Sequence, residues 1–213
     1  MGLLGDALQY IADNPSRFTN ALSVHARLSL SALLLAIGIF VPLGALASRA
    51  RRAGPPLVAV VGAARVVPSL AVLLLLLPYL GTGFRPALVA LVLLAGPPII
   101  VNTDAGLRNV DAAVLENARG LGMNQLQVFT RVQFPLALPV VIAGIRTASV
   151  EVIASATLAA FIGVRSLGTF ILSGITLVDY RLLLVGAVPV ALLALAAEAI
   201  LSGVERLVTP PAT

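Results

Sequence analysis

Lysine, cysteine and tryptophan are all absent from the 213 residues, and His25 is the only histidine. Each gap removes a class of chemistry. Without lysine there can be no glycine-rich phosphate loop of the kind that ends in Lys, so the chain does not hydrolyse ATP by that route. Without cysteine there are no disulfides, no thiol nucleophile and no zinc–thiolate site. A lone histidine leaves no convincing Ser/His pair and no His-rich metal motif, and the acids Glu151 and Glu198 stand singly in dissimilar contexts. Neither an enzyme nor a metal site is expected. Charge is also scarce: 11% of residues are charged, where a soluble domain averages about 25%.

What is present is apolar. Hydrophobic residues make up 59% of the chain, and the mean hydropathy is +1.05. No soluble core of this length hides so much apolar surface, so lipid must be part of the solvent. The net charge of +5 is carried on the basic side by arginine alone. The arginines are scattered rather than striped along one face, which argues against nucleic acid and for positions at the ends of membrane spans. The first residues lack a basic start and a cleavage site and contain Asp6 and Asp13, so no removed signal peptide is expected.

Five stretches are long enough to cross a bilayer, which needs roughly 20 apolar residues. They run from about Val24 to Leu46, Leu57 to Leu80, Pro86 to Asn102, Leu136 to Phe161 and Leu182 to Leu201. A helix satisfies its own backbone in lipid, so the expected fold is an all-α, polytopic membrane bundle of about five spans. A sixth apolar stretch, Ala159 to Ile175, is broken by Gly163, Arg165, Gly168 and Gly174. It reads as a re-entrant or surface segment packed on protein. Residues 1–23 form an N-terminal interfacial segment, in which Leu3, Leu4, Ala7, Leu8 and Ile11 share one face of a short helix. The membrane domain takes residues 24–206, and residues 207–213 are a tail.

Arginine bias sets the orientation. Arg49, Arg51 and Arg52 follow the first span, Arg108, Arg119 and Arg131 lie between the third and fourth, and Arg206 follows the fifth. That side is expected to be cytoplasmic, with the N-terminus outside and the C-terminus inside. Arg17, Arg85, Arg165 and Arg181 fall on the other side.

The loop at about 108–135 is long and polar. Asp111 is placed to cap a helix over Ala112 to Arg119, and Gly120 and Gly122 end it in a sharp turn. Asn124 caps a second helix, Gln125 to Val132, expected to stop before Pro135. The product is a helix–turn–helix at the membrane surface. Val114, Leu115, Leu121, Leu126 and Phe129 either pack on the bundle or enter a partner's groove.

The spacing within this loop resembles a known signature. Glu-Ala-Ala, three residues, Gly, nine residues, Ile-x-Leu-Pro is the pattern of binding-protein-dependent ABC importer permeases. Here Glu116-Asn117-Ala118 is followed by Arg119 to Leu121, then Gly122, then Met123 to Arg131, then Val132-Gln133-Phe134-Pro135. Asn117, Val132 and Phe134 are mild departures. Segments Pro135 to Pro139, Gly144 to Ala148, Ala156 to Gly163 and Leu167-Gly168 resemble the glycine betaine/carnitine/choline permeases. So do Gly81 to Gly83, Asn102-Thr103 and Gly106-Leu107. That subfamily often has Gln-Thr-Ile-Pro in the second span, where this chain has Arg65-Val66-Val67-Pro68.

The resemblance implies a permease subunit in a prokaryotic plasma membrane, carrying a small compatible solute. It implies cytoplasmic ABC ATPase subunits that bind ATP and Mg, so this chain needs no cofactor. It also implies a second permease, as homodimer or paralogue heterodimer, and an extracytoplasmic solute-binding protein. Glu116, Asn117, Ala118, Gly120, Gly122, Met123 and Pro135 would form the coupling element that seats in the ATPase. Glu116 would pair with a basic residue there; alone, it would read equally as a solvated helix charge. The aromatics do not cluster, so a cage for a quaternary ammonium is expected in the binding protein.

Arg65, Arg146, Glu151 and Glu198 fall within spans, where a central charge costs roughly 2.5–3.5 kcal/mol on insertion scales. Arg65, Pro68, Glu151 and Arg146 are candidates for a translocation path or gate; the alternative for Arg65 with Glu151 is a structural helix-to-helix ion pair. Arg146 is near enough to the cytoplasmic end to snorkel, Glu198 is expected to face a partner subunit, and His25 to sit as an interfacial polar residue. A channel or secondary carrier would account for the spans and charges but not for the polar loop.

Overall fold

The computed structural model describes residues 2–50 and 52–209. Arg51 and the end of the C-terminal tail lie outside the described residues. The chain begins with α1 (Leu3–Asp13), the amphipathic helix expected there. The first spanning helix, α2 (Pro15–Arg49), starts well before Val24 and absorbs much of the anticipated interfacial segment. Pro15 explains the start: its fixed φ suits the first helical position and its missing N–H would be unpaired there anyway.

The second span is not one rod. It divides into α3 (Gly54–Ala63), a 3₁₀ turn (Ala64–Val66) and α4 (Ser69–Leu80), with the halves bent by 97°. Pro68 is the cause. Its ring disfavours the helical region for the residue before it, and Val67 is accordingly extended at φ −73°, ψ 122°. By contrast, α5 (Phe84–Arg108) continues unbroken through Gly96-Pro97-Pro98 and beyond the anticipated end at Asn102. It is the most enclosed span: 61% of its apolar window is buried, against 17–39% for the other long helices. Neighbouring helices therefore stand in for the lost backbone contacts of its prolines.

The polar loop follows as α6 (Ala112–Gly120) and α7 (Gln125–Val128). A π turn over Phe129–Gln133 leads straight into α8 (Phe134–Ser155). The second helix of the loop therefore does not stop before Pro135. An α-helical register would press the Pro135 ring on the carbonyl four residues back, and the wider π turn accommodates the extra residue. At its other end α8 stops at Ser155, short of Phe161. A 3₁₀ turn (Leu158–Ile162) and α9 (Gly168–Leu177) replace the anticipated last turns. Phe170, Gly168 and Gly174 of α9 are buried, in keeping with a short segment packed on protein. Asp179 caps α10 (Tyr180–Val208), accepting from the Arg181 and Leu182 N–H groups. Counting the bent pair as one crossing gives five spans.

Two apolar clusters hold the bundle. The larger joins α2, α4, α5 and α8 through Leu28, Leu73, Leu91, Ile99 and Val152; the smaller joins α1, α9 and α10 through Ala7, Phe170, Leu182 and Val185. Lipid removes the hydrophobic drive for helices to associate, so close packing by small residues takes its place. Ala32 and Ala36 on α2, Ala87, Ala90 and Ala95 on α5 and Ala148 on α8 are fully buried. Gly144 of α8 makes one such close approach: a Cβ there would lie 2.6 Å from the Asn102 Cβ and 2.8 Å from the Pro98 carbonyl of α5.

Candidate functional site

Hydrogen bonds gather the helix ends that carry the loop at one end of the bundle. Arg108 pairs with Asp104 at 2.8 Å and donates to the Ala47 carbonyl of α2 at 2.8 Å. Gln133 Nε2 donates to the Leu107 carbonyl at 3.0 Å, and the Arg49 guanidinium lies 4.2 Å over the Phe129 ring. The helix–turn–helix is thereby clamped to α2 and α5 rather than left as a free loop.

Its internal geometry is set residue by residue. Asp111 accepts from the Ala113 N–H at 2.8 Å and opens α6. At the other end Gly122 takes φ +85°, a left-handed conformation that glycine adopts without penalty. The Gly122 N–H bonds to the Arg119 carbonyl at 2.9 Å, and the Met123 N–H to the Ala118 carbonyl at 3.2 Å. These two bonds are a Schellman stop, and they account for three motif positions together: Ala118 buried at 6% exposure, Gly122 left-handed, Met123 closing the turn. Gly120 is helical rather than part of the turn. Asn124 and Gln127 then form a reciprocal capping box, each bond 2.9 Å, that starts α7.

The five apolar positions of the loop divide. Leu115 and Phe129 are half-buried against the chain, while Val114, Leu121 and Leu126 are exposed, the last two at 82% and 69%. Glu116 and Asn117 are exposed beside them, and Glu116 makes no ion pair among the described residues. The result is a small surface of leucines and one free carboxylate, presented on a rigid turn.

A second feature is a cavity of about 600 Å³ at the bend of the second span. Arg65 and Pro68 reach it from the bend, Phe40 from α2, Pro97 from α5, and Glu151 and Ser155 from α8. Arg65, Pro68 and Glu151, named from the sequence, thus meet in one place. Arg65 and Glu151 line the same cavity but form no ion pair within 4 Å, so the helix-to-helix bridge is not made.

Arg146 stands elsewhere. It bonds Glu205 at 2.8 Å, Glu198 at 3.3 Å and the Ser202 hydroxyl at 2.9 Å, tying α8 to α10. Glu198 therefore has an internal partner while its side chain stays 42% exposed, and Arg146 does not line the cavity. His25 is also corrected: it is fully buried, and its Nε2 lies 3.2 Å from the Ile153 carbonyl. Packing of α2 against α8 at Ile153 covers it. Ser155, Phe40 and Pro97 were not identified from the sequence as cavity residues, since ordinary apolar and small side chains in a span carry no mark of the space they face.

The family described as binding-protein-dependent transport system inner membrane component matches residues 32–210. Among individual relatives, the carnitine transport permease protein OpuCB of Listeria monocytogenes is 43% identical over 88% of this chain and 86% of its own length. The choline transport system permease protein OpuBB of Bacillus subtilis is 37% identical over 95% of this chain and 94% of its own. In shape, the chain is similar to a subunit of the MetNI methionine ABC transporter solved in inward-facing conformations. That match has a TM-score of 0.81 at 17% identity, covering 91% of this chain and 96% of that one.

Proposed function

The chain belongs to the family of binding-protein-dependent transport system inner membrane components, and from that premise we propose how it works as the permease subunit of an ATP-driven importer. The solute is a small compatible one, of the glycine betaine, choline or carnitine kind, as the names of its relatives suggest. The chain sits in a prokaryotic plasma membrane with its N-terminus outside and its C-terminus in the cytoplasm. ATP and Mg are bound by separate ATPase subunits, a second permease completes the pathway, and a binding protein delivers the solute from outside.

The observation that carries this reading is the clamped helix–turn–helix. Leu121 and Leu126 offer apolar contact and Glu116 a free carboxylate to a basic groove on the ATPase. Because α7 continues through the π turn into α8, a displacement of the turn is passed along one rod to Glu151 in the cavity. Arg108 and Gln133 couple the same end to α2 and α5. Closure of the ATPases on ATP would thereby rock the spans.

Co-expression with the ATPase encoded beside this gene is the test. The wild-type pair is expected to purify as a complex that hydrolyses ATP, and Glu116→Ala combined with Gly122→Val to lose it. Equal recovery and equal ATPase activity of the variant would refute the coupling assignment.

A further inference from the structure

We propose that the cavity at the bend of the second span is a binding site for a small zwitterion, and that it favours solutes bearing both a quaternary ammonium and a carboxylate over cations with no carboxylate. This rests on the permease function above and adds where this chain holds the solute and which of those solutes it favours. The cavity holds one side chain of each sign, Arg65 and Glu151, on separate elements. Neither makes a hydrogen bond or ion pair with any described residue. Charges within a membrane protein normally pair with one another or face a water-filled path. These two are kept from direct contact because Pro68 fixes the turn that carries Arg65 while Glu151 rides on α8.

The two sides of the cavity differ in a way that matches the two ends of such a molecule. Beside Arg65 the helix α4 begins with no side-chain cap, and the Ser69 hydroxyl lines the cavity. Pro68 stands at the cap position, and the first helical bond is from Val72 to the Pro68 carbonyl. The leading N–H groups of α4 are therefore free to join Arg65 in holding a carboxylate. Glu151 supplies the countercharge for an ammonium, and the Phe40 ring lines the same cavity as a face for its methyl groups. A cation without a carboxylate would satisfy Glu151 and leave Arg65 opposed by nothing but another positive charge.

Because the chain contains no cysteine, Val72→Cys places a single thiol of this subunit on the cavity wall. The rate of its modification by a small neutral maleimide is read in the purified permease–ATPase complex, without binding protein, against glycine betaine and choline. Glycine betaine is expected to protect at a concentration at least about tenfold below choline, the scale of one charge-assisted hydrogen bond. Arg65→Gln should abolish that preference, and Glu151→Gln should weaken protection by both solutes. Equal protection by the two solutes with Arg65 and Glu151 intact would overturn the proposal, and that comparison needs neither charge substitution to fold. Absence of protection in a preparation that still takes up either solute with ATP and binding protein would overturn the site and leave the permease function standing. Absence of ATP-driven uptake of both would remove that function and the site with it.

Discussion

Replacing Gly122 isolates what the turn contributes. A Cβ at this position would meet nothing within 4 Å, so substitution introduces no clash and the penalty is conformational alone. At φ +85° an alanine costs about 1–2 kcal/mol, which is about 5–30-fold in the opening equilibrium of the turn. Asn, which tolerates the left-handed region, should cost less, and β-branched Val more. The amide of Met123, bonded to the Ala118 carbonyl, is the reporter. In native-state hydrogen exchange its protection should fall in the order Gly, Asn, Ala, Val. ATPase recovery should follow the same order, because the exposed face formed by Glu116, Leu121 and Leu126 depends on the turn. Equal protection across the four residues would refute the claim that a left-handed stop fixes this element.

Asp111→Ala should remove the cap of α6 and cost about 1 kcal/mol, seen as faster exchange at Ala113 and its neighbours with the α7 capping box unaffected. Gly144→Ala should lower the thermal midpoint in detergent by about 1–3 kcal/mol equivalent, since the neighbours at 2.6 and 2.8 Å include the backbone of α5; an unchanged midpoint would mean that α5 and α8 pack less tightly than described. Arg146→Met should loosen α8 from α10 at a cost of about 1.5–3 kcal/mol, with Arg146→Lys intermediate. If Arg146 instead served the transport path, Arg146→Met would abolish uptake with stability intact.

Much of this molecule was legible in its sequence because lipid imposes strong rules. Apolar length gave five crossings, and the broken stretch after Ser155 was expected to pack on protein, as α9 does. The helix–turn–helix was legible because its stops are local: Asp111, Gly122 and Asn124 each act on backbone groups within three residues. What escaped depends on distant partners or on how proline is accommodated. Pro68 and Pro97-Pro98 look alike as interruptions, yet one bends a span by 97° and the others sit in an unbroken helix. Pro135 was expected to end a helix, and the π turn before it carries the helix through. Arg146 and Glu198 lie far apart in sequence, and nothing local announces their bond. The burial of His25 comes from packing against Ile153 of α8, 128 residues away.

The central claim is that ATP hydrolysis in a partner moves solute through this chain by way of the helix–turn–helix. Uptake of radiolabelled glycine betaine into proteoliposomes holding the permease, its ATPase and the binding protein tests it most directly. The account predicts uptake that requires internal ATP and is lost with Glu116→Ala and Gly122→Val together. Uptake that persists without ATP or without the ATPase would contradict it and identify the chain as a channel or secondary carrier.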